Sequence, residues 1–280
     1  MDGTILHNTT QTRKQLWQLT HTDIAGGTLA LARCPRCRGK GVYTQTLHRF
    51  DSGDLVEAQQ HVPCDCRQRA RDLLAAANIP PGRFATAALG DLDWRTIAPP
   101  SALAALQRYA TRLDDAIAHG LGLLLTGDVG AGKTHLTIGL VRLACALGIE
   151  ARFHTLPGLL ARLRATYERP GQNNSRRPTG ENETAIPLLA LDDLSAEKPS
   201  DWMRSRLYTL IDQRYTARQP TIVTSHLPLP ALTARLGKRT LSRLTGTTLT
   251  IHLTSPDHRP RAKTHLLRQI NWTSTERGSK

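Results

Sequence analysis

The chain has 280 residues, 39% of them hydrophobic and 4% aromatic, with a formal net charge of +14. That length suits one medium α/β core with a small appendage, and the basic excess favours a polyanionic partner such as nucleic acid, or an arginine-rich solvated surface, over an acidic small molecule. The later apolar stretch LGLLL is far too short for a bilayer and the N-terminal stretch lacks a signal-peptide pattern, so no membrane contact and a cytoplasmic setting are expected.

Residues 1–30 are polar and threonine-rich, without a clear period or a catalytic pattern. Four of the five cysteines follow in two close pairs, Cys34 and Cys37 in CPRCRGKG and Cys64 and Cys66 in CDC. Four thiolates so spaced suit a tetrahedral Zn²⁺ in a reducing compartment, with His48 or His61 as alternative ligands. Between the pairs, GVYTQTLHRF and DLVEAQQHV predict a hairpin, and a basic helix, RQRARDLLAAANI, follows. A segment this small cannot fold on its apolar area alone; structural zinc supplies about 10 to 16 kcal/mol in comparable peptides.

The paired prolines of IPPGRFATAALGDLDW predict a linker lying across the next domain. Ser101 is expected to cap a helix with apolar positions Leu103, Leu106, Ala110, Leu113 and Ile117, ending at Gly120. Continuously apolar strands then alternate with helices, as a buried parallel sheet requires. RPGQNNSRRPTGENET, residues 169–184, predicts a mobile loop, and Cys145 on the apolar face of a helix is expected to be plain core. The expected divisions are 1–30, a polar segment; 31–77, a zinc-binding module and basic helix; 78–100, a linker; 101–255, the α/β domain; and 256–280, a basic tail.

The chemistry concentrates in GDVGAGKT: Gly127, Asp128, Val129, Gly130, Ala131, Gly132, Lys133 and Thr134. It stands between a strand and a helix, the setting in which a glycine-rich loop and a helix N-terminus cradle phosphates. Lys133 is expected to reach the β- and γ-phosphate oxygens and Thr134 to reach Mg²⁺, with His135 beside them. PLLALDDL ends a strand in two acids, Asp192 for Mg²⁺ and Asp193 for the attacking water. TIVTSHL ends another, making Ser225 and His226 candidates for the γ-phosphate side. The pattern reads as an ATPase with ATP, Mg²⁺ and Zn²⁺ as its cofactors.

GDVGAGKT, LALDDL, TSHL and LGKRTLSRLTG, with the leading segment NIPPGRF, resemble the DnaC/DnaI-type helicase loaders and the related IstB transposition ATPases of the AAA+ class. The resemblance covers roughly residues 78–259. It implies a three-layer αβα P-loop sheet without a full lid domain, behind a zinc-ribbon-like module. It also implies Arg243 as an arginine finger acting on a neighbour's ATP, with Arg239 as its basic companion. Arg162, Arg164 and Arg169 become candidate contacts to single-stranded DNA, and Arg259 a second sensor. At the sensor position, His226 stands where the family usually has Asn. The partners implied are a hexameric DnaB-type helicase, single-stranded DNA and further copies of the chain. A transposition ATPase, or a zinc-dependent nucleic-acid adaptor with little turnover, is the alternative.

Overall fold

The computed structural model describes residues 31–32, 34–51, 54–168, 183–195, 200–260, 263–264 and 267. The N-terminal segment 1–30, residues 169–182 of the expected loop with Arg169, and most of the 256–280 tail lie outside them.

Val42–Asp51 (β1) and Asp54–Pro63 (β2) pair antiparallel, from Val42 opposite Pro63 to Asp51 opposite Asp54. Helix Cys66–Ala76 (α1) starts at the last of the clustered cysteines. Its buried Ala70 packs with Ala88 and Ala146, and Ala32 N donates to Ala146 O at 3.0 Å. Small residues at this contact let the backbones approach closely and join the cysteine module to the larger domain.

Residues 77–98 form a strap across that domain. At one edge of the main sheet Phe153 N donates to Ala77 O at 2.9 Å and Asn78 Nδ2 donates to Phe153 O at 2.8 Å. At the other, Thr254 N donates to Ala98 O at 2.9 Å and Ala98 N donates to Ser255 Oγ at 3.0 Å. Between these anchors Leu89 is buried against Gly139, where an added Cβ would lie 2.7 Å from Leu89 Cδ2. Arg142 donates to Ala85 O and fixes the strap to the same helix.

The helix expected from Ser101 to Gly120 is two helices, Pro100–Thr111 (α2) and Leu113–Ala118 (α3), broken at Arg112. Ser101 is not its cap. Pro99 occupies that place and Pro100 begins the helix, where a missing N–H costs nothing.

The remaining elements alternate: Gly122–Gly127 (β3), Lys133–Ala146 (α4), Ala151–Thr155 (β4), Leu156–Glu168 (α5), Leu188–Asp192 (β5), Asp201–Thr216 (α6), Thr221–Ser225 (β6), Leu229–Leu236 (α7), Lys238–Thr247 (α8) and Thr248–Leu253 (β7). The strands lie in the order β4-β5-β6-β3-β7, every neighbouring pair parallel. Period-two alternation splits the core. Leu123 and Leu125 face α2 and α4, whereas Leu124, Leu189 and Leu191 face α5, α6 and α8. The result is a sheet between two helical layers.

The buried guanidinium of Arg214 ties the N-terminal side of the sheet. It donates to Glu183 O (2.8 Å), Ile186 O (2.9 Å), Pro220 O (2.5 Å) and Thr221 Oγ1 (3.0 Å). On the opposite side, the strand order sets β6 between β3 and β5, so the loop after β3 and the acids after β5 flank one strand end. No helix among the described residues is long and apolar enough to cross a membrane.

Candidate nucleotide-binding site

Helix α4 begins at Lys133 directly after the glycine loop, with Gly132 as its N-cap at φ +88° and no side chain capping it. Its first-turn N–H groups are therefore free to meet an anion. Gly130, at φ +84°, lies so close beneath Asp257 that a Cβ would fall 1.9 Å from Oδ1. Ala131 is buried in the core and Val129 is exposed at the loop tip. Lys133 Nζ donates to Gly127 O and Asp128 O, both at 2.7 Å, which stiffens the loop. Burial pulls the Lys133 ammonium below its ordinary value.

Asp192 is 6% exposed and collects hydroxyls. Thr134 Oγ1 lies 3.1 and 2.9 Å from its two oxygens, and Thr224 Oγ1 donates to Oδ1 at 2.7 Å. Desolvation raises the Asp192 carboxyl above its ordinary value. A buried carboxylate beside a hydroxyl is a hard-oxygen pair that suits Mg²⁺; Thr134 and Asp192 would hold the ion, which would offset charge on the phosphates. Asp193 takes a left-handed φ of +54°, tolerable for Asp, and its N–H donates to Thr224 Oγ1 at 2.8 Å. Thr224 thus braces both acids. Sequence reasoning passed over it, although alternation along TIVTS placed it on the α4 side with Ile222.

These groups line one cleft of about 350 Å³ together with His135, His226 and Arg259, and with Arg83 and Phe84 from the strap. Ser225 does not reach it: the side chain is fully buried and accepts from Leu227 N at 2.9 Å. His135 is held by Ala88 O, 3.3 Å from Nε2. Arg243 lies outside the cleft, its Nε 2.5 Å from Asp212 Oδ1 and its guanidinium over the Tyr208 and Tyr215 rings. Arg239 is exposed on the same helix. On α5, Arg162 and Arg164 are both exposed, and Arg164 stacks 4.5 Å from the Trp202 ring centroid.

The four clustered cysteines form a second centre. Their sulfurs lie within 4.8 Å of one another, with Cys34–Cys64 at 3.5 Å and Cys37–Cys66 at 3.4 Å. Tetrahedral Zn–S bonds of about 2.3 Å set sulfurs about 3.8 Å apart, so the cage fits that ion. Gly41 N donates to Cys37 Sγ at 3.3 Å, the kind of outer bond that orients a thiolate ligand. His48 and His61 stand on the hairpin, away from the cage, so neither replaces a cysteine.

Among known families, the model for IstB-like ATP-binding proteins matches residues 44–253. This chain belongs to that family. As an IstB-like ATP-binding protein it carries its glycine-loop nucleotide site on the five-stranded parallel sheet described above. Curated relatives include an insertion sequence IS1162 ATP-binding protein of Pseudomonas fluorescens, 36% identical over 112 residues, which cover 40% of this chain and 46% of that one. The replicative helicase loader DnaC of Escherichia coli is 21% identical over 144 residues, covering 51% of this chain and 57% of the loader. The IstB-like chain thus spans about half the length of the curated relatives it matches. Domain III of the Thermotoga maritima replication initiation protein DnaA shares the fold, with a TM-score of 0.50 at 17% identity over 64% of this chain and 74% of that one.

Proposed function

We propose that this protein hydrolyses ATP at the cleft between the glycine loop and Asp192, as a helicase loader that assembles on single-stranded DNA. The hydroxyl-braced acid pair facing an open helix N-terminus carries the reading. Lys133 and the loop amides bind the phosphates, Asp193 orients the water, and His226 senses the γ-phosphate. Arg243, turned away from its own cleft, serves a neighbour's.

The cysteine module, fixed to the far end of α4, supports the loading role. In loaders of the DnaI type a similar zinc module docks on the replicative helicase, and here it would grip a hexameric DnaB-type partner. The decisive experiment is capture of the cognate helicase by the purified chain, expected with ATP and lost on Cys64→Ser. No capture in any nucleotide state refutes loading.

A second reading, a transposition ATPase, is favoured by the higher identity to the insertion-sequence protein. It requires capture of a transposase and duplex DNA instead. Phosphate release that Lys133→Ala abolishes supports hydrolysis under either reading. Nucleotide binding without phosphate release would leave an adaptor.

A further inference from the structure

The turn after β5 carries a side chain that the phosphate chemistry above does not use. Ser195 is 7% exposed, and its hydroxyl bridges the two strand ends that flank the cleft. On one side Ser195 Oγ lies 2.6 Å from Asp193 Oδ1, and Ser195 N donates to the same oxygen at 3.3 Å. On the other, His226 N donates to Ser195 Oγ at 3.3 Å and His226 Nδ1 lies 2.7 Å from that oxygen. Nδ1 is also 3.3 Å from Asp193 Oδ1.

Counting protons fixes the direction of these bonds. A serine hydroxyl carries one hydrogen, and an ionised carboxylate can only accept. With that hydrogen on Asp193, Nδ1 must carry its own and donate to Oγ, and each contact among Ser195, Asp193 and His226 is then attractive; the Ser225 hydroxyl, 3.4 Å from Oγ, can donate to it but not receive its hydrogen. With the hydrogen turned to a bare Nδ1, Oγ and Nδ1 would both present lone pairs to the carboxylate, at 2.6 and 3.3 Å. The first arrangement is the stable one.

We infer that Ser195 is a positioning residue for hydrolysis: its hydroxyl holds the Asp193 carboxylate and is itself held by Nδ1–H of His226, so the two act as one unit. The inference rests on the proposed role of Asp193 as the water-orienting acid. The Asp193 carboxylate stands on a single methylene, and its backbone sits in a left-handed turn. An unheld short carboxylate would sample several rotamers, whereas two bonds from Ser195 select one. His226, which lines the cleft, is in turn fixed with Nδ1 protonated.

The test has two independent arms. In ¹⁵N-labelled full-length protein without nucleotide, long-range imidazole correlation spectra should show His226 protonated on Nδ1, shifting toward the Nε2–H form in Ser195→Ala. A wild-type His226 protonated on Nε2 alone overturns the inference, whether or not the protein turns over ATP. In steady-state kinetics Ser195→Ala should lower kcat about tenfold or more, with nucleotide Kd within about twofold. Ser195→Thr, which keeps the hydroxyl, should recover most of the loss. Equal losses in both variants, or none in Ser195→Ala while Asp193→Asn is inactive, refute the positioning role. Full turnover in Asp193→Asn would instead overturn the underlying assignment of the acid, an outcome that the imidazole spectrum distinguishes.

Discussion

Arg243 on α8 and Asp212 on α6 face each other with Nε and Oδ1 2.5 Å apart, the guanidinium lying 5.0 Å from the centroid of Tyr208 and 5.7 Å from that of Tyr215. The finger candidate is thus half-buried, held by an acid and two rings. Arg243→Ala should leave nucleotide Kd within about twofold and cut turnover by about 10³ to 10⁵. Mixing Arg243→Ala with Lys133→Ala subunits should restore part of the phosphate release, because each supplies what the other lacks. Mixtures as inactive as their components would refute action between subunits.

Thr224 donates to Asp192 and accepts from Asp193 N, so Thr224→Val removes two bonds while keeping shape. A buried amide and a buried carboxylate lose partners, each at about 1 to 3 kcal/mol. Isothermal calorimetry should show weaker Mg²⁺-dependent ATP binding in Thr224→Val and near-normal binding in Thr224→Ser.

Gly139 lies inside α4, where alanine would ordinarily gain about 1 kcal/mol in helix propensity. Its missing Cβ is the space that Leu89 occupies. Gly139→Ala should therefore destabilise the protein, by about 1 to 3 kcal/mol from overpacking. Urea unfolding would show a lowered midpoint with unchanged slope.

His135 is neutral by design of its surroundings: burial lowers its pKa below the ordinary value. The folded form then binds fewer protons than the unfolded chain, so its stability contribution is complete above the unfolded value of about 6.5 and is lost as pH falls through the folded value. His135→Gln should flatten the loss of melting temperature on acidification in that window.

The five cysteines should react in two classes. Once a chelator strips metal, four become titratable by a thiol reagent. Cys34 reacts first, because the Cys37 N–H pulls its thiol down to about 7. Cys145, pushed up to about 12 by burial, should react only on unfolding. Five thiols reacting at one rate without chelator would argue against a metal-filled cage.

Features contiguous in the chain were legible in its sequence. The glycine loop, the acid pair and both cysteine pairs carry their spacing locally, and β3 and β5 announced themselves as nearly unbroken apolar runs. Contacts that cross the sheet were not. Thr224 and Ser195 matter because β5 and β6 are neighbours, a fact of strand order that no single segment encodes. Ser101 misled because a serine before an apolar period mimics a cap, whereas Pro100 was already suited to the first turn. In the 78–100 segment the paired prolines signalled irregular backbone, but not that Leu89 would enter the core.

The strap also covers both margins of the main sheet. With Phe153 N–H and C=O already bonded to Ala77 and Asn78, and Thr254 N–H to Ala98, the sheet margins are blunted against edge-to-edge pairing. Any pairing of another strand onto these margins would first have to displace the strap's bonds at Phe153 and Thr254.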